Sequence, residues 1–203
     1  MKKYAVQFVD SIKHVEKEVW NQLCGTDYPF LRYEFLLALE LSGCTTSQSG
    51  WQPHHLIIID QSKTHHDLVA VMPLYIKTDS YGEYVFDWSW ADAYQRYGHQ
   101  YYPKLVTAIP FTPATGKRIG IIENSEKITE VVLAPIIAEA IKNEAIKIGA
   151  SSWHCLFPEN NVNELFSKEK ISRRKGCQFH WLNKNDSSFD HFLETFNSRK
   201  RKT

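Results

Sequence analysis

Short apolar runs along the 203-residue chain predict a series of β-strands. Residues 4–9 read as an opening strand, and residues 56–59 form an unbroken β-branched run, typical of a strand buried on both faces. Residues 68–76 follow after a polar turn and are expected to pair with that run as a hairpin. Further strands are predicted over 104–111, 152–157 and 177–182.

Helices are predicted where apolar residues recur every three or four positions. They cover residues 14–23, 29–41, 126–148 and 161–170. Gly149 is expected to stop the long third helix, and Pro135 to kink it or mark its first turn. The resulting order is one strand, two helices, three strands, a helix, a strand, a helix and a strand.

This order predicts an α/β (α+β) fold with a mixed β-sheet flanked by helices. It resembles the order of the acyl-CoA N-acyltransferase (GNAT)-like fold, in which the acyl donor binds at the fourth strand and the start of the following helix. Residues 1–183 are then expected to form one such domain.

The end of the chain has a pattern of its own. In residues 184–203, Ser188 and its neighbours can cap a helix whose aromatic residues fall at helical spacing. The helix runs into a basic segment without a glycine or proline stop. We expect a capped basic helix that begins a second half of a longer protein, with a solvated tail as the alternative.

Composition narrows the class of protein. With 43% hydrophobic and 13% aromatic residues, the chain can bury a large core, which excludes a wholly disordered protein. The net charge is +1, and without the four terminal cations it is −3. Contact with tRNA is therefore expected only through Arg199, Lys200, Arg201 and Lys202, with residues 173–175 as a possible addition.

Cysteine, histidine and hydropathy patterns suggest a cytoplasmic protein without a metal. The four cysteines are widely spaced and form no C-x-x-C pair, which indicates reduced, mostly packed thiols rather than a zinc site. The adjacent histidine pairs at 54–55 and 65–66 would point to opposite faces of a strand and so chelate poorly. Neither a signal peptide nor a membrane span is apparent.

Residues 81–118 mix many aromatic rings with carboxylates, one histidine and a Thr/Gly/Lys/Arg loop. Such a mixture is typical of a lined cleft rather than a core strand. The side chains predicted to bind substrate in it are Trp88, Trp90, Tyr94 and His99.

Several segments resemble the FemAB-like family labelled peptidoglycan biosynthesis/recognition. They are Pro29–Leu31, Gly50–Leu56, Pro73–Lys77, Ser80–Trp88, Tyr101–Leu105, Pro110–Gly116, Gln178–Trp181 and Ser198–Lys202. The resemblance spans nearly the whole chain and implies a GNAT-like domain, usually present twice. Fem transferases proper pass an amino acid from aminoacyl-tRNA to a peptidoglycan precursor. The sequence departs from the family pattern after Trp181, where a Gly-Tyr pair is expected.

Amide formation needs an acyl donor, an amine that loses a proton and an acid for the leaving group. A carboxylate beside indole rings suits the base, and Asp87 or Asp92 fits this role. If the segment is a strand, Trp88, Trp90 and Asp92 share one face and Asp87 points away. Tyr101 or Tyr102 is the expected proton donor.

The loop of residues 112–118 is predicted to hold the donor's phosphates ahead of the long helix. Its expected ligands are Thr112, Thr115, Gly116, Lys117 and Arg118. The loop is not a P-loop and lacks the usual CoA-binding pattern, so acyl-CoA and aminoacyl-tRNA both remain as donors.

The function expected first is therefore the N-terminal half of an N-acyltransferase that uses a small acyl donor and an amine acceptor. The alternative is a non-catalytic domain with the same fold that binds a ligand or docks on its second half. The expected protein partner is that second half or another copy of the chain. A third possibility is an RNA-contacting module.

Overall fold

The computed structural model describes residues 3–62, 67–122, 128–177 and 179–199. Strands in these ranges are β1 (Tyr4–Val9), β2 (Trp51–Pro53), β3 (His55–Asp60), β4 (Asp67–Met72), β5 (Tyr75–Lys77), β6 (Lys104–Thr107), β7 (Gly120–Ile121) and β8 (Trp153–Cys155). Helices are α1 (Lys17–Cys24), α2 (Tyr33–Leu41), α3 (Trp88–Arg96), α4 (Glu130–Ile148), α5 (Asn160–Lys168) and α6 (Phe189–Glu194). The predicted mixed α/β fold is confirmed.

The strands form two four-stranded sheets, ordered β1-β3-β4-β7 and β2-β5-β6-β8. Their pairs are antiparallel except β6 and β8, which run parallel with Val106 opposite His154. Only His54 separates β2 from β3, and only two residues separate β4 from β5. Each of these chain segments therefore passes from one sheet to the other.

Prolines lie at both of these crossings. Pro53 ends β2 and Pro73 follows β4, and neither has an N–H to give to a sheet. The two crossings are joined because the His54 amide donates to the Leu74 carbonyl at 2.8 Å. The single hairpin predicted over 68–76 is corrected accordingly: β4 pairs with β3, whereas β5 pairs with β2 and β6.

The core lies on both faces of β3, as its continuous apolar run predicts. Ile58 packs in a cluster with α4 and α5, whereas its neighbour Ile57 packs in a second cluster with Trp20 of α1 and Leu36 of α2. A third cluster around Trp51 and its neighbours fills the other sheet. Alternate side chains of β3 thus hold helices on opposite sides of the sheet.

The ends of the long helix follow capping chemistry. The Thr129 hydroxyl accepts from the Val132 amide at the start of α4, and Gly149 adopts the left-handed conformation that ends it. The predicted stop is confirmed. Pro135 lies in the second turn, so its placement in the first turn is wrong.

Two strand predictions are wrong. Residues 88–96 form α3, not the strand in which Trp88, Trp90 and Asp92 would share one face, and no strand includes Cys177 or residues 179–182. The strand predicted over 104–111 is shorter than expected: β6 ends at Thr107, and the next strand, β7, belongs to the other sheet. Pro110 and the positive φ of Phe111, 58°, do not fit an extended strand that continues to residue 111.

The chain divides into two compact units, Met1–Arg173 and Arg174–Thr203. In the second unit the predicted cap is confirmed, because the Ser188 hydroxyl accepts from the His191 amide at the start of α6. Phe192 packs on Phe189, Phe196 and Trp181. Of the predicted tRNA contacts, Lys200, Arg201 and Lys202 lie outside the described residues.

A domain boundary at residues 183–184 stays a prediction. No helix in the described ranges is long and apolar enough to cross a bilayer.

Candidate functional site

A fully buried lysine organises the predicted cleft. Lys104, the first residue of β6, has no exposed surface. Its ammonium donates to Asp87 Oδ2 at 2.6 Å and to Ser80 Oγ and Glu83 Oε2 at 2.9 Å each. One cation therefore holds two carboxylates and a hydroxyl in the interior.

The segment between β5 and α3 brings these acceptors to Lys104. Asp79 accepts from the Tyr81 amide at 2.8 Å, and the positive φ of Gly82 at 76° reverses the chain. Asp87 stands at the N-cap of α3, yet its carboxylate makes no capping bond to the helix. The carboxylate is directed instead to Lys104.

Two tyrosines complete the network. The Tyr101 hydroxyl donates to Asp87 Oδ2 at 2.5 Å, and Tyr102 Oη lies 2.7 Å from Ser80 Oγ. Tyr101 is buried, whereas Tyr102 is partly exposed. The structure thus brings together Asp87, Tyr101 and Tyr102 among the residues predicted to act in catalysis.

Burial and hydrogen bonds set the protonation of this network. Burial alone would raise the pKa of Asp87, but hydrogen bonds from Lys104, Ser80 and Tyr101 outweigh it and lower the pKa to about 2. Burial raises the pKa of Glu83, an effect that Lys104 only partly opposes. Burial and the bond to Asp87 raise the pKa of Tyr101. Asp87 is therefore a fixed negative charge and a poor base at neutral pH.

Two buried carboxylate oxygens retain acceptor capacity. Glu83 Oε1 and Asp87 Oδ1 make no hydrogen bond within the described part of the chain. A buried oxygen without a donor is costly, so these two atoms favour a partner that carries N–H or O–H groups.

His154 of β8 borders the network. Its Nδ1 atom lies 3.7 Å from Asp87 Oδ2, its Nε2 atom lies 3.1 Å from Ser152 Oγ, and its side chain is 22% exposed. Glu83, Asp87 and His154 offer ligand atoms within 4.8 Å of one another, which is close enough for a metal ion. The Lys104 ammonium already occupies the position of a cation between the carboxylates.

Helix α3 carries the predicted aromatic lining. Trp88 and Trp90 are 40% and 51% exposed, and Tyr94 packs on the ring of Tyr101 with centroids 5.1 Å apart. His99 packs on Tyr94 and is exposed. Asp92 is exposed on the same helix and is not part of the network. The common strand face predicted for Trp88, Trp90 and Asp92 is wrong, because helical spacing separates Trp90 from the other two.

Arg118 shapes the predicted donor loop from within. Its buried guanidinium donates to the carbonyls of Ala114, Gly116, Lys117 and Leu156 at 2.6 to 3.1 Å. Because these carbonyls already engage the buried guanidinium, Arg118 is not among the phosphate ligands that we propose. Thr115 and Lys117 are exposed.

The other loop positions are fixed by packing. A Cβ atom on Gly116 would lie 2.5 Å from the ring of Tyr28, so only glycine fits beside this ring. The hydroxyl of Thr112 donates to the Pro110 carbonyl at 3.1 Å. The loop precedes the long helix as expected, and β7 lies between the loop and α4.

The donor loop and the network segment are joined. The Phe111 amide donates to the Gly82 carbonyl at 3.2 Å, and the Phe111 ring fills the space above Gly82. The loop follows the carboxyl end of β6, and Gly116 extends the parallel pairing of β6 and β8 by a bridge to Pro158. Residues 79–118 therefore form one continuous region.

A shallow cavity of about 350 Å³ lies apart from the predicted residues. Its lining includes Asp10, Lys13, Glu40, Thr45, Gln52 and Pro53. Behind it, Glu40 accepts from Ser11 Oγ at 2.6 Å and contacts the buried His55 Nε2 at 3.2 Å. None of the side chains predicted as catalytic or binding lines this cavity.

The chain is similar to one protein family and to one solved structure. The family model of FemAB-like proteins, described as peptidoglycan biosynthesis/recognition, matches residues 11–203. The chain belongs to the FemAB-like family. No curated protein sequence matches this FemAB-like chain significantly. Among solved structures, the ligand-free aminoglycoside antibiotic 6'-N-acetyltransferase of Acinetobacter haemolyticus is similar over 89% of this chain and 98% of its own, with 10% identity and a TM-score of 0.42.

Sequence reasoning missed four members of the site in this FemAB-like chain: Ser80, Glu83, Lys104 and His154. A weak signal for two of them is present in the sequence, namely a charged residue in apolar or aromatic surroundings. Lys104 is a charged residue at the start of an otherwise apolar strand, and Glu83 lies between aromatic residues. A charge at such positions must either face solvent or meet an opposite charge.

Proposed function

We propose that this FemAB-like chain is the N-terminal part of an N-acyltransferase that passes an acyl or aminoacyl group to an amine, for which a peptidoglycan precursor is one acceptor to test. The observation that carries the proposal is the continuity of residues 79–118. This region joins an exposed loop to a buried network of charges beside the parallel pair β6 and β8. Family membership supports the same reaction class.

The donor side of the proposal is the loop after β6. In α/β sheets, ligands bind outside the carboxyl ends of strands, and β6 is where an antiparallel neighbour meets a parallel one. Thr115 and Lys117 present a hydroxyl and an ammonium there. Both groups suit the phosphates of acyl-CoA or of the acceptor end of an aminoacyl-tRNA.

The acceptor side is the network. An amine approaching through the partly exposed Tyr102 and His154 meets the negative charge of Asp87 and the two carboxylate oxygens that retain acceptor capacity. Asp87 serves there as an electrostatic anchor rather than as the base. Burial raises the pKa of Tyr102, which keeps its hydroxyl protonated as a donor to the leaving group.

The test of the donor site is calorimetric titration of acetyl-CoA and CoA into the full chain and into Thr115→Val/Lys117→Ala. We expect micromolar binding that weakens at least tenfold in the double variant, since both phosphate contacts are lost. Lys142→Ala, on the exposed face of α4, is the matched control and should bind unchanged. Equal binding by the double variant would refute the loop as the donor site.

If neither CoA compound binds, aminoacyl-tRNA becomes the donor to test. Contact through Arg199, Lys200, Arg201 and Lys202 would then weaken steeply with salt, because each neutralised phosphate releases a counterion. Binding that is insensitive to salt, or absent, removes tRNA from the proposal.

The second candidate function is ligand recognition without catalysis. It is favoured by the complete burial of Lys104, Glu83 and Asp87 and by the polar cavity beside Glu40. Tight pairing of the full chain with a separately produced second half, together with no binding of any donor, would support this function over transfer.

A further inference from the structure

Ser152, His154 and Asp87 stand in a line at the partly exposed border of the network. Ser152 Oγ lies 3.1 Å from His154 Nε2, and His154 Nδ1 lies 3.7 Å from Asp87 Oδ2. The order is hydroxyl, imidazole, carboxylate, with one ring nitrogen facing each oxygen. In this order the imidazole can accept the serine proton while the carboxylate orients the imidazole, which activates the hydroxyl for nucleophilic attack.

The fold fixes this order. Ser152 and His154 are two positions apart at the start of β8, so both project from the same face of the strand. Trp153 projects from the opposite face and packs on Phe166 of α5, with ring centroids 4.9 Å apart. The Ser152 carbonyl accepts from the Leu105 amide at 2.9 Å, which fixes the backbone of the serine to β6.

Asp87 has the properties that the carboxylate of such a triad requires. It is buried, and Lys104 and Tyr101 hold its Oδ2 atom in place. Its charge favours the imidazole form with the proton on Nδ1, which leaves Nε2 as the acceptor for the Ser152 hydroxyl. The 3.7 Å separation is longer than a hydrogen bond but lies within ion-pair distance.

We propose that Ser152 is a nucleophile that takes an acyl group from an activated ester or thioester, with His154 as its base and Asp87 as the residue that orients His154. The bond from Ser152 Oγ to the acyl carbon forms as the carbon–oxygen or carbon–sulfur bond of the donor breaks. The serine proton passes to His154 Nε2 and then to the leaving group. Water or an amine then attacks the acyl-serine, gives a proton to His154 and restores the Ser152 hydroxyl.

This activity goes beyond the proposed amide transfer, because hydrolysis of the acyl-serine needs neither an amine nor the loop at residues 112–118. A fluorophosphonate probe tests it directly, since such probes phosphonylate only activated serines. We expect one adduct per full-length chain, located by mass spectrometry on Ser152 and absent from Ser152→Ala. Labelling of His154→Gln should be about 100-fold slower or more, as expected for loss of a general base.

Ser42→Ala is the matched control. Ser42 is an exposed serine at the end of α2, where its hydroxyl donates to the Leu39 carbonyl at 3.2 Å, so its replacement should leave labelling of Ser152 unchanged. Circular dichroism establishes that each variant is folded. The proposal is overturned if the folded chain gives no adduct, or if Ser152→Ala is labelled as fast as the unmodified protein.

A second measurement uses p-nitrophenyl acetate. An acyl-serine predicts a burst of nitrophenolate with an acetyl group on Ser152, and a burst that persists in Ser152→Ala contradicts the proposal. Because neither probe contains CoA or tRNA, failure here leaves the calorimetric test of the donor loop untouched.

Discussion

At the residue scale, Lys104 offsets two buried negative charges at once. Replacement by methionine keeps a side chain of similar length and volume. It leaves the carboxyl groups of Asp87 and Glu83 without a cation between them. Removal of one partner from a buried ion pair costs about 3–5 kcal/mol. We expect Lys104→Met to lower the free energy of unfolding by that amount, as measured by urea denaturation at pH 7.

Lys142→Met provides the comparison for that measurement. Lys142 is exposed on α4, so its replacement should leave the midpoint of denaturation unchanged. If the two variants unfold at the same urea concentration, Lys104 does not stabilise the buried carboxylates. A compensating triple variant, Lys104→Met with Asp87→Asn and Glu83→Gln, should recover part of the lost stability because it removes both charges.

Asp87 should make the free energy of unfolding depend on pH in the acid range. Its pKa is about 2 in the folded chain and 3.8 ordinarily, so its ionised form favours the folded state. The contribution is fully present above about pH 4 and is lost as the pH falls towards 2; it amounts to about 2 kcal/mol. Glu83 acts in the opposite sense, because its raised pKa makes its contribution fall as the pH rises above 4.5.

The measurement is the free energy of unfolding between pH 2 and 6 for the unmodified chain and Asp87→Asn. The difference between the two proteins should shrink as the pH falls through this window. A constant difference would mean that Asp87 has no lowered pKa in the folded state.

At the scale of elements, the donor loop is held by the fit of Gly116 beneath Tyr28. A methyl group at Gly116 would meet the ring at 2.5 Å, closer than any real contact. We expect Gly116→Ala to destabilise the chain by about 1–3 kcal/mol, the usual cost of overpacking. The thermal midpoint should recover when Tyr28→Ala is added, because the ring is then gone.

Additive losses in the Gly116 and Tyr28 variants would show that the two residues do not compete for space. Tyr33→Ala is a suitable comparison for the ring deletion, since its partly buried ring is not among the atoms that a Gly116 methyl would meet. In that background the Gly116→Ala penalty should persist in full.

Local patterns predicted the elements whose signals are local. The strand at residues 4–9, the buried run of β3 and the stop at Gly149 follow from periodicity and capping alone. Helix α3 was missed because its two tryptophans and Tyr94 favour a strand, although Ala91, Ala93 and Gln95 favour a helix. The break at Pro73 depends on a partner strand that lies far away in sequence.

The site, too, was predicted only where its signal is local in the sequence. The aromatic and acidic composition of residues 81–118 placed Asp87, Tyr101 and Tyr102 in one region. The bond from Lys104 to Ser80 joins residues 24 positions apart, and the contact of His154 with Asp87 spans a still longer separation. Neither contact leaves a periodic trace in the sequence.

At the scale of the whole molecule, the three hydrophobic clusters lie entirely within Met1–Arg173. The buried network and the donor loop lie in the same unit. Burial of apolar surface is the main driving force of folding, so this unit has the hydrophobic core that it needs to fold by itself. We therefore expect a chain of residues 1–173 to fold cooperatively without the remainder.

The test compares residues 1–173 and 1–148 with the full chain by circular dichroism and urea denaturation. The longer truncation should keep a single cooperative transition and its fluorophosphonate adduct. The shorter truncation removes β8 and α5, and with them Trp153 and Phe166 of the largest cluster, so it should show no cooperative transition. Loss of folding in residues 1–173 would mean that Arg174–Thr203 is needed for stability. The folding unit would then extend beyond the residues of the three hydrophobic clusters.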